Sequence, residues 1–334
     1  NNAHRKEYLP IQGLPELRDN ISNYLYKRTG NDYPKEYILI TPGSKEAMLL
    51  IHIAFNGEII ITAPGWVSYE PQAEIGSNKV HWLETSRSNN WFPTGEELEK
   101  KIKLVGKNKN LILILNSPNN PTGAVYFPDE IKRIVEIAQR YDLWILDDMI
   151  YADLVYSEHP YLSPASLPQG KSRTITIGGW SKIWAMTGWR LGWIAGPEVV
   201  MKGVKTCQAN SASHVPTFLM PPAEVALSLV EEPKQMAQDF ENRRCVFHEL
   251  LREIPGLQAP MPEGAFYILV DVSETGMDDI TFANRLLEEG RVQVIPGSLM
   301  PHGENLVRMS YATSIENIKE GCRRIRKWLE SIMH

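Results

Sequence analysis

The feature that most constrains this chain is the alternation of short, mostly apolar runs with helix-forming stretches. Segments 58–63 (after its leading Glu58), 111–115, 143–146 and 174–177 are continuous apolar or β-branched runs, too short for helices. They read as strands buried on both faces. Ile38-Leu39-Ile40 leads into a turn and another helix, and 191–195 adds a further strand. Helix signals lie between them. Pro15 sits in the first turn of a helix with apolar Leu14, Leu17, Ile21 and Leu25 and a stop at Gly30. Thr41-Pro42-Gly43-Ser44-Lys45-Glu46-Ala47 opens a helix ending near Phe55. Thr94 and Glu97 form a capping box for a helix ending near Val105, and 128–141 reads as another. Strand, loop and helix repeated in this way predict an α/β fold, a mostly parallel sheet flanked by helices.

The last third changes character. A long helix over 232–254 is expected to cross between two domains. Short strands (266–271, 292–295, 306–310) then alternate with helices near 279–290 and 314–332, which predicts a smaller α+β C-terminal domain. The expected division is a large domain, 1–235, and a small one, 236–334.

With 334 residues there is ample chain for two cores. A net charge of −5, without a basic stripe or charge run, gives no reason to expect nucleic acid as a partner. No apolar run reaches the roughly 18 residues of a membrane span, so none is expected. Cys207, Cys245 and Cys322 are scattered and lack metal-ligand spacing. They read as free thiols in a reducing, cytoplasmic setting, with no metal site expected. The sequence begins at Asn1 without a methionine, which leaves a targeting peptide open.

Chemically suggestive residues gather just past strand carboxyl ends, where open α/β sheets bind ligands. In Ser181 to Gly192, Lys182 stands among small and apolar residues, with Arg190 following. Burial disfavours an ammonium and favours the neutral amine that attacks carbonyls; arginine keeps its charge and suits phosphate. The same residues would also serve as a surface lysine and a structural arginine. Ser44 and Lys45 open a helix whose free N–H groups attract anions, although an ordinary cap fits as well. Trp66 can pack in the core or stack on a flat ring. The loop 116–123 is dense in Asn, Pro and Gly, with asparagines able to aim amides at a ligand. Arg308 lies in an apolar strand, so it should meet an anion, either a side chain or a substrate carboxylate.

Taken in order, several of these segments match one family. They are Gly13-Leu14-Pro15-Glu16-Leu17-Arg18, Pro42-Gly43-Ser44-Lys45-Glu46-Ala47, Trp66-Val67-Ser68-Tyr69, the loop 116–123, Asp148-Met149-Ile150-Tyr151, Ser181-Lys182 through Arg190, Gly264-Ala265-Phe266-Tyr267, Pro296-Gly297-Ser298 and 307–313. The chain resembles the fold type I, pyridoxal-phosphate-dependent aminotransferases of class I/II, the aspartate aminotransferase family. The resemblance implies pyridoxal 5'-phosphate (PLP) held on Lys182 as a Schiff base, with the same lysine shuttling the substrate proton. It implies Asp148 as the acid at the pyridine nitrogen, and Tyr151 and Asn120 as partners of the phenolic oxygen. Trp66 would stack on the ring. Ser44, Lys45, Ser181 and Arg190 would hold the phosphate, and Arg308 the substrate α-carboxylate, beside Asn120 and Trp66. Tyr8 would reach the phosphate of a neighbouring subunit, so the resemblance implies a homodimer with active sites at its interface.

There are departures. Gly65 replaces a frequent tyrosine, Met149 a common glutamate and Gly179 a phosphate-binding serine of some members. The 55–58 link and 300–304 loop are short. The family's N-terminal segment over the substrate pocket has no counterpart here, so part of the specificity is expected to lie outside this sequence. The implied reaction is amino transfer from an L-amino acid to a 2-oxo acid, most like the aspartate, prephenate or aromatic type. A C–S lyase or aminocyclopropane-carboxylate synthase would use the same groups, and a PLP-sensing domain of a transcription regulator shares the fold.

Overall fold

The structure is a computed structural model and describes residues 6–332. Seven strands form the main sheet: β1 (Ile38–Thr41), β2 (Glu58–Ala63), β3 (Lys79–Glu84), β4 (Leu111–Asn116), β5 (Trp144–Asp148), β6 (Thr174–Gly179) and β7 (Gly192–Ala195). Their order is β1-β7-β6-β5-β4-β2-β3. Strands β3, β2, β4, β5 and β6 run parallel, whereas β7 is antiparallel to both β6 and β1. The reversal has a simple cause. A parallel return needs a crossover, usually through a helix, and the β6–β7 connection contains only the short turn Thr187–Trp189. Lys182 and Arg190 both belong to this connection and are thereby held at the carboxyl end of β6.

The buried strands carry the sheet. Strand β4 is buried at every position, and Ile59, Ile61, Ile112, Ile114, Leu146, Ile175 and Ile177 share one core under the helix Ser44–Ala54. On the other face, Ile60, Leu113 and Ile145 pack against Leu98 and Ile102 of helix Gly95–Val105 and Ile131 and Ile134 of helix Pro128–Arg140. Apolar side chains on both faces of parallel strands are what the unbroken apolar runs require. The capping box at Thr94 forms as expected, with Thr94 Oγ1 accepting from the Glu97 N–H and the Glu97 carboxylate accepting from the Thr94 N–H.

A second, antiparallel sheet has the order β8-β10-β9, from β8 (Tyr267–Asp271), β9 (Ile295–Pro296) and β10 (Leu306–Ser310). Helices Glu231–Arg252 and Ile315–Ile332 cover one face: Phe240, Phe247, Leu251, Ile325 and Trp328 join Ile268, Val270, Val307 and Met309 in one core. Tyr151, Leu154 and Ile183 belong to the same core, so it is continuous with the loops carrying the candidate residues. Because Val307 and Met309 point into this core, Arg308 between them points the other way, towards the main sheet's loop edge.

The differences from expectation are local. The expected strand 292–295 shrinks to β9, where Pro296 cannot donate to the ladder. The helix expected over 279–290 is α-helical only over Asp279–Arg285 and then widens into a π turn. Strand β3, an edge strand with mixed polar and apolar residues, and helices Tyr69–Ile75, Glu198–Ala209 and Met220–Ser228 went unread. Among the described residues, no helix is long and apolar enough to cross a membrane, and the three cysteines are unpaired.

Candidate active site

Strand ends, the helix start at Ser44 and strand β10 close around a cavity of about 240 Å³. Ten of the eleven residues singled out from sequence line it: Ser44, Lys45, Trp66, Asn120, Asp148, Tyr151, Ser181, Lys182, Arg190 and Arg308. Tyr8 does not line it. Its side chain is 90% exposed, with its ring edge-on to His214 at 5.8 Å.

Asp148 ends β5, level with Asn116 of β4 in register. It is buried, and Tyr69 Oη donates to its Oδ2 at 2.9 Å while the Ile150 N–H donates to Oδ1 at 3.3 Å. Burial pushes its carboxyl up to about 6, opposed by the Tyr69 hydrogen bond, the Ile150 N–H and the nearby Lys182 charge. Asp147 is pushed to about 6 by burial as well, but alternation turns it to the other face, where Tyr161 and Ser163 donate to it at 2.7 and 2.6 Å.

Lys182 follows β6 with its Nζ 5.8 Å from the ring centres of both Tyr151 and Phe266. Burial lowers its pKa. Asp148 opposes this, and the positive charges of Arg190, Arg308 and Lys45 reinforce it. A neutral amine is therefore more accessible here than on an exposed lysine, as nucleophilic chemistry requires.

Arg308 Nη1 donates to Asn120 Oδ1 at 3.0 Å, and the guanidinium lies 4.7 Å from the ring centre of Tyr267. Asn120 is itself fixed, its N–H donating to Asn116 Oδ1 at 2.9 Å, while Asn116 Nδ2 donates to the Asp148 carbonyl. Trp66 stands edge-on to Tyr69 at 5.4 Å, and the Lys45 ammonium lies 5.0 Å from the Trp66 ring centre.

Helix Ser44–Ala54 begins without a side-chain cap, so its first N–H groups lack the usual oxygen. Gly43 precedes it at φ 89°, and a Cβ there would sit 2.5 Å from Arg190 Nη2. Gly192 is equally confined, its missing Cβ falling 2.4 Å from the Gly43 carbonyl carbon. Two glycines thus let an uncapped helix start and a guanidinium converge, an arrangement that suits an anion.

The profile of the family described as aminotransferase class I and II matches residues 1–325. A probable aspartate/prephenate aminotransferase of Aquifex aeolicus is 34% identical, over 98% of this chain and 84% of its own length. The aromatic-amino-acid aminotransferase 2 of Thermococcus litoralis is 37% identical, over 97% and 84%. The crystal structure of an aromatic aminotransferase from Pyrococcus horikoshii superposes with a TM-score of 0.92 at 33% identity, over 97% of this chain and 88% of that one. The chain belongs to the class I and II aminotransferases.

Members of this family depend on PLP, and the cavity fits that molecule on its own terms. The uncapped helix start with Arg190 suits a phosphate, the buried Asp148 carboxyl a ring nitrogen, and the half-buried Lys182 amine an aldehyde carbon. Lys45, Lys182, Arg190 and Arg308 outnumber the single lining carboxylate, Asp148, so the aminotransferase cavity favours anionic ligands. Three polar lining residues had gone unassigned from sequence: Tyr69, Asn116 and Tyr267. All three stood inside matched segments, yet only tertiary contacts show what they touch.

Proposed function

We propose that the chain transfers the amino group of an L-amino acid to a 2-oxo acid in a ping-pong cycle, with aspartate, prephenate or aromatic substrates. The observation that carries this reading is the convergence of Lys182, Asp148 and Arg308, from β6, β5 and β10, on one cavity. PLP, when bound, supplies a conjugated ring that draws off the electron pair released at the substrate Cα. Lys182 Nζ would hold the cofactor covalently and, once displaced by the substrate amine, take and return the Cα proton. Asp148 would keep the ring nitrogen protonated. The backbone N–H groups of Ser44 and Lys45, the Ser181 hydroxyl and Arg190 would bind the phosphate. Trp66 would cover the ring face. Tyr151 Oη and the amide nitrogen of Asn120 would hydrogen-bond the phenolic oxygen. Asn120 Oδ1 already takes one Arg308 N–H, which orients the guanidinium for a substrate α-carboxylate.

Similarity to aspartate, prephenate and aromatic aminotransferases supports the substrate class. The exposed Tyr8 supports a homodimer in which it reaches the phosphate site of a second copy. The unpaired cysteines support a cytoplasmic setting. The two sheets support a division into a large PLP-binding domain, 1–235, and a small domain, 236–334.

The test is a panel of amino donors with 2-oxoglutarate, oxaloacetate and pyruvate as acceptors. Amino acid should form from the acceptor in stoichiometric amount with the new 2-oxo acid. Release of ammonia or thiol without any acceptor would replace this reading with the lyase one.

A further inference from the structure

Tyr267 lines the cavity and touches two of its residues, Arg308 and Tyr151. It is the first residue of β8, and in the antiparallel register it pairs with Ser310, which makes Arg308 its diagonal neighbour across the strands. Its ring is the surface on which the Arg308 guanidinium rests, 4.7 Å from the ring centre. Its hydroxyl lies 3.1 Å from Tyr151 Oη, and the two rings meet edge-on at 5.9 Å. Both tyrosines are buried, so water does not readily replace either contact.

We propose that Tyr267 is a positioning residue that couples the carboxylate-binding arginine to the phenol facing the cofactor. Its ring fixes the plane of Arg308, and its hydroxyl fixes the direction in which Tyr151 donates. The inference rests on the roles read above for Tyr151 and Arg308. A guanidinium over a partly desolvated aromatic face is attracted to it and loses rotational freedom. A hydroxyl pair has two donor directions, and the direction decides whether Tyr151 offers a proton or a lone pair to the cavity. Burial raises the pKa of both phenols; the Arg308 charge eases ionisation of each, whereas the Tyr267 phenol and Asp148 oppose ionisation of Tyr151. When a carboxylate neutralises Arg308, that bias changes, and Tyr151 is the group that senses it. Lys182, over the Tyr151 ring at 5.8 Å, Asn120, bound to Arg308, and the Tyr69 phenol also face this pair.

The experiment uses the cofactor-loaded enzyme as wild type, Tyr267→Phe, Tyr267→Leu, Tyr151→Phe and the double variant Tyr151→Phe/Tyr267→Phe. Two quantities are read: the pH midpoint of the cofactor's visible absorbance, and the dissociation constants of succinate and 3-phenylpropanoate, which lack an amino group. Tyr267→Phe should move the midpoint by about half to one pH unit, the worth of one buried hydrogen bond, while carboxylate binding stays within about twofold. Tyr267→Leu should in addition weaken one or both carboxylates about fivefold. In the Tyr151→Phe background, Tyr267→Phe should produce no further shift. An unmoved midpoint in Tyr267→Phe, or an equal shift in both backgrounds, overturns the proposal. Tyr267→Phe removes a single oxygen, and circular dichroism verifies its fold; should Tyr267→Leu not fold, the double-variant comparison decides alone. A wild type lacking any pH-dependent visible band overturns the cofactor reading itself, and this inference with it.

Discussion

Gly43→Ala puts the anion site under direct load. At φ 89° and ψ 163° the backbone occupies a region open essentially to glycine, and forcing alanine there costs roughly 1–3 kcal/mol. The new methyl group would also lie 2.5 Å from Arg190 Nη2 and 3.0 Å from its Cζ, distances a Cβ does not tolerate. Arg190 is the softer partner, so its guanidinium should swing away from the helix start, giving up the Nη1 bond to the Thr187 carbonyl. If Arg190 holds the cofactor's phosphate, the lost charge-assisted hydrogen bonding is about 1.5–3 kcal/mol, or roughly a 10- to 150-fold weaker PLP dissociation constant. Equilibrium dialysis of the cofactor-free protein against PLP measures this, alongside thermal unfolding. Gly30→Ala is the matched control: Gly30 also has positive φ, at 67°, but a Cβ there meets nothing within 4 Å. It should lose about 1 kcal/mol of stability and no cofactor affinity. Gly43→Ala should add little to Arg190→Ala, because the second change removes what the first displaces. A Gly43→Ala protein that melts earlier yet binds PLP within twofold of wild type would refute the reasoning and take Arg190 out of the phosphate site.

Three other outcomes are expected. Lys182→Ala should lose the visible absorption of the cofactor-bound protein, and a variant retaining it would remove Lys182 from its role. Tyr69→Phe deletes the donor that helps keep Asp148 ionised, so the acid limb of the kcat–pH profile should move to higher pH, with roughly a tenfold loss of kcat near neutrality; an unmoved limb would count against the assignment of Asp148. His52 is fully buried, and burial lowers its pKa to about 4, opposed only by a backbone hydrogen bond at Gln72. Since the unfolded histidine titrates near 6.5, the unfolded state binds the extra proton first, and stability on this account is full above pH 6.5 and falls by about 3 kcal/mol as pH drops to 4. Asp147 and Asp148, raised to about 6, give the opposite slope between about pH 4 and 6, so the quantity to follow by urea unfolding is the difference between wild type and His52→Leu. A pH-independent difference would show that His52 does not titrate in this window.

Legibility in the sequence followed burial on both faces. Strands β2, β4, β5 and β6 were readable because each is built around a short apolar or β-branched run, the pattern that two covered faces impose. Strand β3 escaped because it pairs only with β2 and exposes Lys79 and Glu84, so burial does not force its composition. Helix Met220–Ser228 opens on Pro221 and Pro222, residues that break a helix interior, although proline in a first turn removes only donors that lack an intrahelical partner anyway. Leaders such as Thr94 and Pro15 were visible because a cap is a local interaction, encoded within a few residues.

The site divides along the same line. Ser44, Lys182, Arg190 and Arg308 could be nominated because a helix start, a lysine among small residues and an arginine in an apolar strand are local anomalies. Tyr69 and Tyr267 are not anomalies: buried tyrosines are ordinary, and their partners, Asp148 and Tyr151, lie 79 and 116 residues away. Asp147 and Asp148 show why chemistry alone does not substitute for position. Both end the same strand, both are buried, and both are held near pH 6 by the same desolvation. Titration therefore does not separate them. What separates them is the period of the strand, which gives one carboxylate the closed polar pocket of Tyr161 and Ser163 and the other the cavity that holds Lys182. A perturbed carboxyl marks burial; it marks a functional group only when what it faces is open and carries complementary chemistry.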